Sequence, residues 1–319
     1  MNRKVFKNGP SFVITLPTQW VKEYGISEGT EVNVNASGNT LSINSNLTKE
    51  LDTVVIDTLG IDRTFLRCSI RNAYKRGYKS IKVNYDQSTL THYRLNQEVS
   101  IPKIIKQEIE SLIGFEIVEQ NNNSTLIQGF TEEKREDFDI FLRKIFLKLI
   151  QRSEDLKNIN KQILEEWETS PWIIKKFISY CTRILNTKGH KDSVQYFHLL
   201  SSLDIILTII HFTGRYVKEQ KITYSDQTKE IITDIINIFN LFYDFFYNYS
   251  NEKIVEISLA RNKLEEKILK TSPTLPTKEV IFIEKFYQSV EIFYRLIETR
   301  MDLELKWSKD MQKLTTQKY

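Results

Sequence analysis

Basic residues without acidic neighbours are the side chains most suited to chemistry in this sequence. Residues 1–22 contain four lysine or arginine residues and no aspartate or glutamate. Cationic side chains bind phosphate groups, so this run predicts contact with a nucleic-acid backbone. The alternative is a solvent-exposed edge strand whose lysines prevent aggregation. The candidate DNA contacts are Arg3, Lys4, Lys7, Asn8 and Ser11.

Two predicted β-hairpins and a short helix must position these residues. Thr18 is the expected N-cap of the helix, and Gly25 is expected to end it in a left-handed conformation. A Gly-containing segment at residues 37–39 is typical of a hairpin turn. The expected strands cover residues 3–9, 11–17, 31–35 and 40–43.

The first strand has two faces of different composition. Alternation places Arg3, Val5 and Lys7 on one face. Lys4, Phe6 and Asn8 then lie on the other. A segment this small cannot bury a core alone, so we expect it to pair with a second copy of itself.

The order of these motifs resembles the AbrB/SpoVT family of swapped-hairpin proteins. The resemblance rests on a G-x-x-x-G spacing from Gly25 to Gly29 and on five segments in the right order. It implies an interlocked homodimeric β-barrel that places basic strands on DNA. The segments are RKVFKNG, PSFVITLP, QWVKEYGI, EGTEVNV and GNTLSI.

Composition limits the class of protein. A length of 319 residues predicts two or three domains, and the net charge of +4 is too small for a general polyanion binder. Cys68 and Cys181 are far apart, which favours a reducing compartment over a disulfide scaffold. We find no secretory signal and no apolar run of about 18 residues. We therefore expect a cytoplasmic protein without membrane insertion.

A small α+β module is predicted over residues 49–130. A helix over residues 63–76 is closed by Gly77, and a second over 102–113 is closed by Gly114. Strands are expected over residues 80–85, 115–119 and 125–127. Five basic residues form either a solvated helix face or further DNA contacts: Arg67, Arg71, Lys75, Arg76 and Lys79.

Helical periodicity dominates residues 131–319. About six helices are expected, and Thr131–Glu136 would begin the first with a cap and an acidic first turn. Glu133 and Asp137 are interpreted as solvated caps on that basis. An aromatic run at residues 241–247 is interpreted as bundle core, with a protein-docking surface as the alternative. The expected breaks lie at residues 170–171, 187–189, 224–225, 249–251 and 271–276.

The six helices are interpreted as two copies of a three-helix unit. The third, residues 195–218, superposes on the sixth, residues 282–306, when Asp204 is placed on Glu291. Each helix has one narrow polar row, and the two rows are predicted to pair with each other. One row contains Ser201, Asp204, Thr208, His211 and Arg215, and the other contains Gln288, Glu291, Arg295, Glu298 and Asp302.

This repeat resembles the PhoU family of paired three-helix bundles. Its fusion to an AbrB-like head, with LIGFEIVEQ between them, is similar to archaeal phosphate-uptake-regulator-like proteins. The resemblance implies metal sites from a Glu/Asp-x-x-x-Asp motif on the third and sixth helices. Asp204 is followed by Thr208, and Glu291 by Arg295, so the second acid is replaced in both. We therefore expect no metal site and no cofactor.

The combined expectation is an α+β protein in three parts. These are a swapped-hairpin β-barrel at residues 1–48, the middle module at 49–130 and an all-α domain of two three-helix bundles at 131–319. The predicted function is a homodimeric DNA-binding transcriptional regulator whose helical domain senses a signal or docks a partner protein. The alternative is a cytoplasmic adaptor that regulates phosphate transport or signalling without DNA binding. Neither a phosphate-binding loop nor a nucleophile elbow is present, so we expect no enzyme.

Overall fold

The protein is α+β and divides into two compact units. The computed structural model describes residues 3–37, 40–45, 53–159, 162–163, 166–167 and 172–305. The first unit, the head, is Met1–Thr53, and the second, the body, is Val54–Tyr319. The predicted boundary at residue 130 falls inside the body, and the three-part division stays a prediction.

The head consists of two antiparallel hairpins and one short helix. Its hairpins form two separate two-stranded sheets within the chain. The predicted turn residues Gly38 and Asn39 lie outside the described residues. The elements are β1 (Val5–Asn8), β2 (Ser11–Ile14), α1 (Thr18–Glu23), β3 (Val32–Ser37) and β4 (Thr40–Ser45).

A four-stranded sheet begins the body. Its order is β5-β6-β10-β9, and β10 is antiparallel to both β6 and β9. β5 was not predicted, although its Val-Val-Ile run is rich in the β-branched residues that favour strands. The strands are β5 (Thr53–Asp57), β6 (Ser80–Asn84), β9 (Phe115–Gln120) and β10 (Ser124–Gly129).

Two helices and a hairpin complete this part of the body. Helix α2 covers Arg63–Arg76 and ends at Gly77 with a φ of +100°, as the sequence predicted. Helix α3 covers Ile101–Ile109, so its predicted end at residue 113 was wrong by one turn. The sequence analysis missed the hairpin of β7 (Thr89–His92) and β8 (Gln97–Ser100).

Six long α-helices and two short 3-10 helices, Leu156–Asn158 and Ser272–Thr274, are described in the rest of the body. The first three contact one another, as do the last three, and α6 packs along α9. The predicted break at residues 170–171 lies outside the described residues, and the other four fall close to the ends of the described helices. The helices are α4 (Asp137–Asp155), α5 (Trp172–Lys188), α6 (Ser193–Gln220), α7 (Asp226–Tyr247), α8 (Asn251–Thr271) and α9 (Thr277–Glu304).

Aromatic side chains fill the core between these helices. Phe239 and Phe242 of α7 pack against Phe293 of α9, with ring centroids 4.5 and 5.0 Å apart. All three side chains are buried. The interpretation of the 241–247 run as bundle core is thus confirmed for its phenylalanines Phe242, Phe245 and Phe246.

Helix α6 is long and apolar enough, by length and composition alone, to cross a membrane. In this structure Leu199, Leu203, Ile206 and Ile210 are buried in the body core. A core helix with this packing passes the same test of length and hydropathy.

Helix α4 begins six residues later than the sequence predicted, because Glu133 has a different role. Arg183 of α5 forms a buried ion pair with Glu133. Its Nη1 also donates hydrogen bonds to the backbone oxygens of Tyr74 (2.6 Å) and Tyr78 (3.0 Å). The interpretation of Glu133 as a solvated cap was therefore wrong, because a buried guanidinium requires a carboxylate and several acceptors.

Candidate nucleic-acid interface

The β1–β2 hairpin positions the predicted DNA contacts. Gly9 has a φ of +58°, a left-handed conformation that favours glycine, and the turn places Asn8 directly opposite Ser11. Lys7 lies opposite Phe12. Arg3 and Lys4 are exposed and precede the first residue of β1.

The hairpin divides the three candidate residues that lie in its strands between its two faces. Directly opposed residues share a face of an antiparallel pair. Lys7 therefore shares its face with Phe12, whereas Asn8 and Ser11 lie on the opposite face. DNA that contacts only one face of this hairpin therefore contacts either Lys7 or the pair of Asn8 and Ser11.

Apolar side chains of the head are exposed to an unusual extent. The exposed fraction is 76% for Phe12, 62% for Val5 and 54% for Phe6. Val34 and Leu41, on the second hairpin, are also more than half exposed. An isolated two-stranded hairpin is marginally stable in water, so these strands need a covering surface.

Helix α1 connects the two hairpins. Its N-cap is Pro17, without a side-chain cap hydrogen bond, so the prediction of Thr18 as the N-cap was wrong by one residue. β2 ends at Ile14, three residues before the predicted end at Pro17. Proline fixes φ, which suits it to the start of the helix. Gly25 has a φ of +61°, and Ile26 N–H donates to the Val21 oxygen over 2.9 Å, which confirms the predicted end.

Asp204 of α6, the remaining acid of the first incomplete metal motif, is already paired with a cation. Asp204 Oδ1 lies 3.3 Å from Lys175 Nζ of α5, an ion-pair distance without hydrogen-bond geometry. The hydroxyl of Thr208 donates to the backbone oxygen of Asp204 over 2.8 Å, as threonine does within helices. His211 also lies on this row, and its Nδ1 is buried.

Glu291 of α9, the remaining acid of the second incomplete motif, is also paired with a cation. Glu291 accepts a 2.7 Å hydrogen bond from Arg261 Nε of α8. Burial raises the pKa of Glu291, but the hydrogen bond and positive charge of Arg261 help to outweigh it and hold the pKa below its ordinary value. Arg295 is exposed. Among the described residues, no three His, Cys, Asp or Glu side chains form a group suited to a metal ion.

The two polar rows do not pair with each other in the predicted manner. Asp204 and Glu291 instead bind cations on neighbouring helices of their own three-helix group. The one hydrogen bond found between the rows' helices in the described part of the chain joins Gln195 to Asp302 over 2.7 Å. The prediction failed because it did not include cations from the other helices.

The basic face of α2 is not the solvated surface that the sequence favoured. Arg67 and Arg71 are 7% and 8% exposed, and both bind Glu108, which is fully buried in α3. Arg76 and Lys79 are exposed. The i, i+4 spacing of Arg67 and Arg71 was visible in the sequence, but their buried partner is 41 and 37 positions away, respectively.

Comparison with known proteins gives one result. A family model described as "Antidote-toxin recognition MazE, bacterial antitoxin" matches residues 5–41. No curated protein and no solved structure matches the chain. The match covers β1 to the start of β4, and the head is therefore similar to a MazE/AbrB-type domain.

Proposed function

We propose that the chain is a homodimeric DNA-binding transcriptional regulator. The main supporting observation is the similarity of residues 5–41 to a MazE/AbrB-type domain. The two unjoined hairpins and their exposed apolar strands support assembly with a second copy, which would cover that surface. The resemblance to swapped-hairpin proteins makes an interlocked barrel the proposed form of this dimer.

Phosphate contact is the proposed role of the basic strand. Arg3, Lys4 and Lys7 carry charge without a nearby acid in sequence, and Lys7 is exposed on its strand. Cations at a duplex surface position the protein on phosphates and contribute little sequence information. Asn8 and Ser11, on the other face, are proposed as the polar contacts nearest the turn.

The test is the salt dependence of DNA binding by the full-length protein. DNA from its own promoter region is titrated at several salt concentrations, and molecular mass is measured in parallel by sedimentation. We expect a dimer and an affinity that falls steeply with salt, because each phosphate contact releases counterions. A monomer, or a protein without salt-dependent DNA binding, would contradict the proposal.

Recognition of a partner protein is the second candidate function. The matched family is described by its recognition of a toxin, and exposed apolar strands also suit a protein partner. In this form the body would act as a PhoU-like adaptor in phosphate transport or signalling, without DNA. Capture of a defined partner by the full-length protein, together with no affinity for promoter DNA, would favour this alternative.

Both candidates place the protein in the cytoplasm and require no catalysis. The helical body is proposed to sense a signal or dock a partner in a PhoU-like manner. The contacts among α4, α5 and α6, and among α7, α8 and α9, support that likeness.

A further inference from the structure

A cationic cavity lies in the body between α2, α5 and α6. Its volume is about 340 Å³. Arg63, Arg67 and Arg71 recur every four residues and thus lie on one face of α2. Lys175 of α5 and the α6 residues Thr208 and His211 form other parts of the wall. The lining residues in the described part of the chain all belong to the body.

Among the described residues, positive charge exceeds negative charge around this cavity. Glu108 accepts a hydrogen bond from Arg67 Nε over 2.7 Å, and its Oε1 forms an ion pair with Arg71 Nη2 over 2.6 Å, so one carboxylate serves two guanidiniums. Asp204 is the partner of Lys175. Arg63 is the next cation along the stripe, and neither Glu108 nor Asp204 forms an ion pair with it in the described residues.

Burial makes this excess of charge costly. Desolvation lowers the pKa of Arg63 and Arg67. Glu108 offsets part of the effect on both, and Asp62 offsets a further part on Arg63. Arg71 is 8% exposed, and its Nε has no hydrogen-bond partner among the described residues. A buried donor without an acceptor is destabilising, so an additional anion would stabilise this cluster.

The rest of the wall is apolar and aromatic. Leu207 and Phe212 of α6 line the cavity beside Thr208. The guanidinium carbon of Arg94 lies 4.3 Å from the centre of the Phe212 ring. A ligand with a charged group at the arginines and a flat or apolar group at Phe212 would match both parts of the wall.

We propose that this cavity binds a small phosphate monoester through Arg63, Arg71 and Lys175, with its organic part against Leu207 and Phe212. A dianion suits a site with an excess of cations better than a singly charged carboxylate. The planar guanidinium also matches two phosphate oxygens at once. The inference does not depend on the proposed function of the head.

Binding to the full-length protein is measured by calorimetry with AMP, inorganic phosphate and adenosine as probes. AMP carries both the phosphate and a flat ring, so it should bind most tightly. Inorganic phosphate that binds more weakly than AMP would support the proposal. Inorganic phosphate that binds as tightly as AMP, or more tightly, would assign the cavity to free phosphate instead. Binding of adenosine equal to that of AMP would overturn the role of the cations.

A pair of matched double variants tests the location. R63Q/K175Q should weaken AMP binding by about tenfold or more, since each substitution removes a charge-assisted contact. R76Q/K79Q removes the same charge from exposed residues near the end of α2 and should leave affinity unchanged. Equal affinity in R63Q/K175Q and the wild type would overturn the proposal, as would no binding of AMP or phosphate at millimolar concentration.

Thiol labelling of the wild-type protein gives a second measurement if R63Q/K175Q does not fold. Cys68 lines the cavity and is partly exposed, whereas Cys181, the other cysteine of the chain, is fully buried. AMP should slow the reaction of Cys68 with N-ethylmaleimide, and adenosine should not. An unchanged labelling rate at a concentration of AMP that saturates the calorimetric signal would place the ligand elsewhere.

Discussion

Lys7 and Asn8 are adjacent in sequence but lie on opposite faces of the β1–β2 hairpin. Lys7 lies on the strand face that contains Phe12, and Asn8 lies on the opposite face beside Ser11. If dimerisation covers one face, only one of these two groups stays available to DNA. Substitution of the two groups separately therefore identifies the face that contacts DNA.

Replacement of Arg3 and Lys7 by alanine should weaken binding to every DNA sequence tested. Phosphate contacts are insensitive to sequence, so affinity should fall uniformly. The slope of log affinity against log salt should flatten by roughly 0.9 per lost contact. K263A/K270A, which removes two exposed charges from α8, is the control and should bind like the wild type. An unchanged slope in R3A/K7A would exclude the basic strand from DNA binding.

Glu108 is the residue on which the buried arginines of α2 depend. E108Q should lower the free energy of unfolding by about 3–5 kcal/mol, because it removes the buried carboxylate that forms ion pairs with both Arg67 and Arg71. Urea denaturation measures this change. E110Q, at an exposed position one residue beyond α3, should change stability by no more than about 0.5 kcal/mol. Similar effects of the two substitutions would show that the buried ion pairs contribute little.

At the scale of elements, Glu279 joins the start of α9 to the start of α7. Its carboxylate accepts from the Ser225 backbone N–H (2.9 Å), the Ser225 hydroxyl (2.7 Å) and the Thr228 hydroxyl. Burial raises the pKa of Glu279, but these hydrogen bonds outweigh burial and lower the pKa below the ordinary value of 4.5. Two helix starts are thus fixed by one ionised side chain.

This arrangement predicts an acid-dependent loss of stability. Because the pKa of Glu279 is lower in the folded state, its stabilisation is complete above the unfolded pKa of 4.5 and is lost as pH falls through the folded value. E279Q should be about 1–3 kcal/mol less stable than the wild type at neutral pH. The difference between the two should shrink in urea titrations below pH 4.5. A constant difference across this range would contradict the assignment.

The elements that sequence predicted best are those with strong local signals. The periodicity of Arg63–Arg76 and the glycine that follows it gave α2 with its observed bounds. The start of α4 was wrong because the acidic residues that resemble a cap include the partner of Arg183, 50 positions away. The hairpin of β7 and β8 was missed because its strands are only four residues long and contain polar residues that weaken the alternation.

The candidate sites show the same limit. The head was predictable because its motifs occur in order within 45 residues and match a family model over residues 5–41. The cationic cavity was not predictable, because α2 forms one wall and lies about a hundred residues before α5 and α6, which form the others. The sequence analysis named Arg67 and Arg71 but not Arg63, and it favoured a solvated face because their buried partner Glu108 lies on another helix.

At the scale of the whole molecule, the division into head and body predicts independent folding of the body. A truncated chain containing residues 54–319 should retain its helical circular dichroism, because its core is separate from the head. It should lose DNA binding and the proposed dimer contact. Loss of helical signal on truncation would contradict the division at residue 53. Retained affinity for DNA would instead move the nucleic-acid site into the body.

The two unjoined hairpins affect how operator occupancy would depend on the cellular concentration of this protein. If only the paired head occupies an operator, then at low abundance occupancy rises with the square of the chain concentration. Halving gene dosage would then cut occupancy to about one quarter. Dilution during growth would release the operator more sharply than for a monomeric repressor.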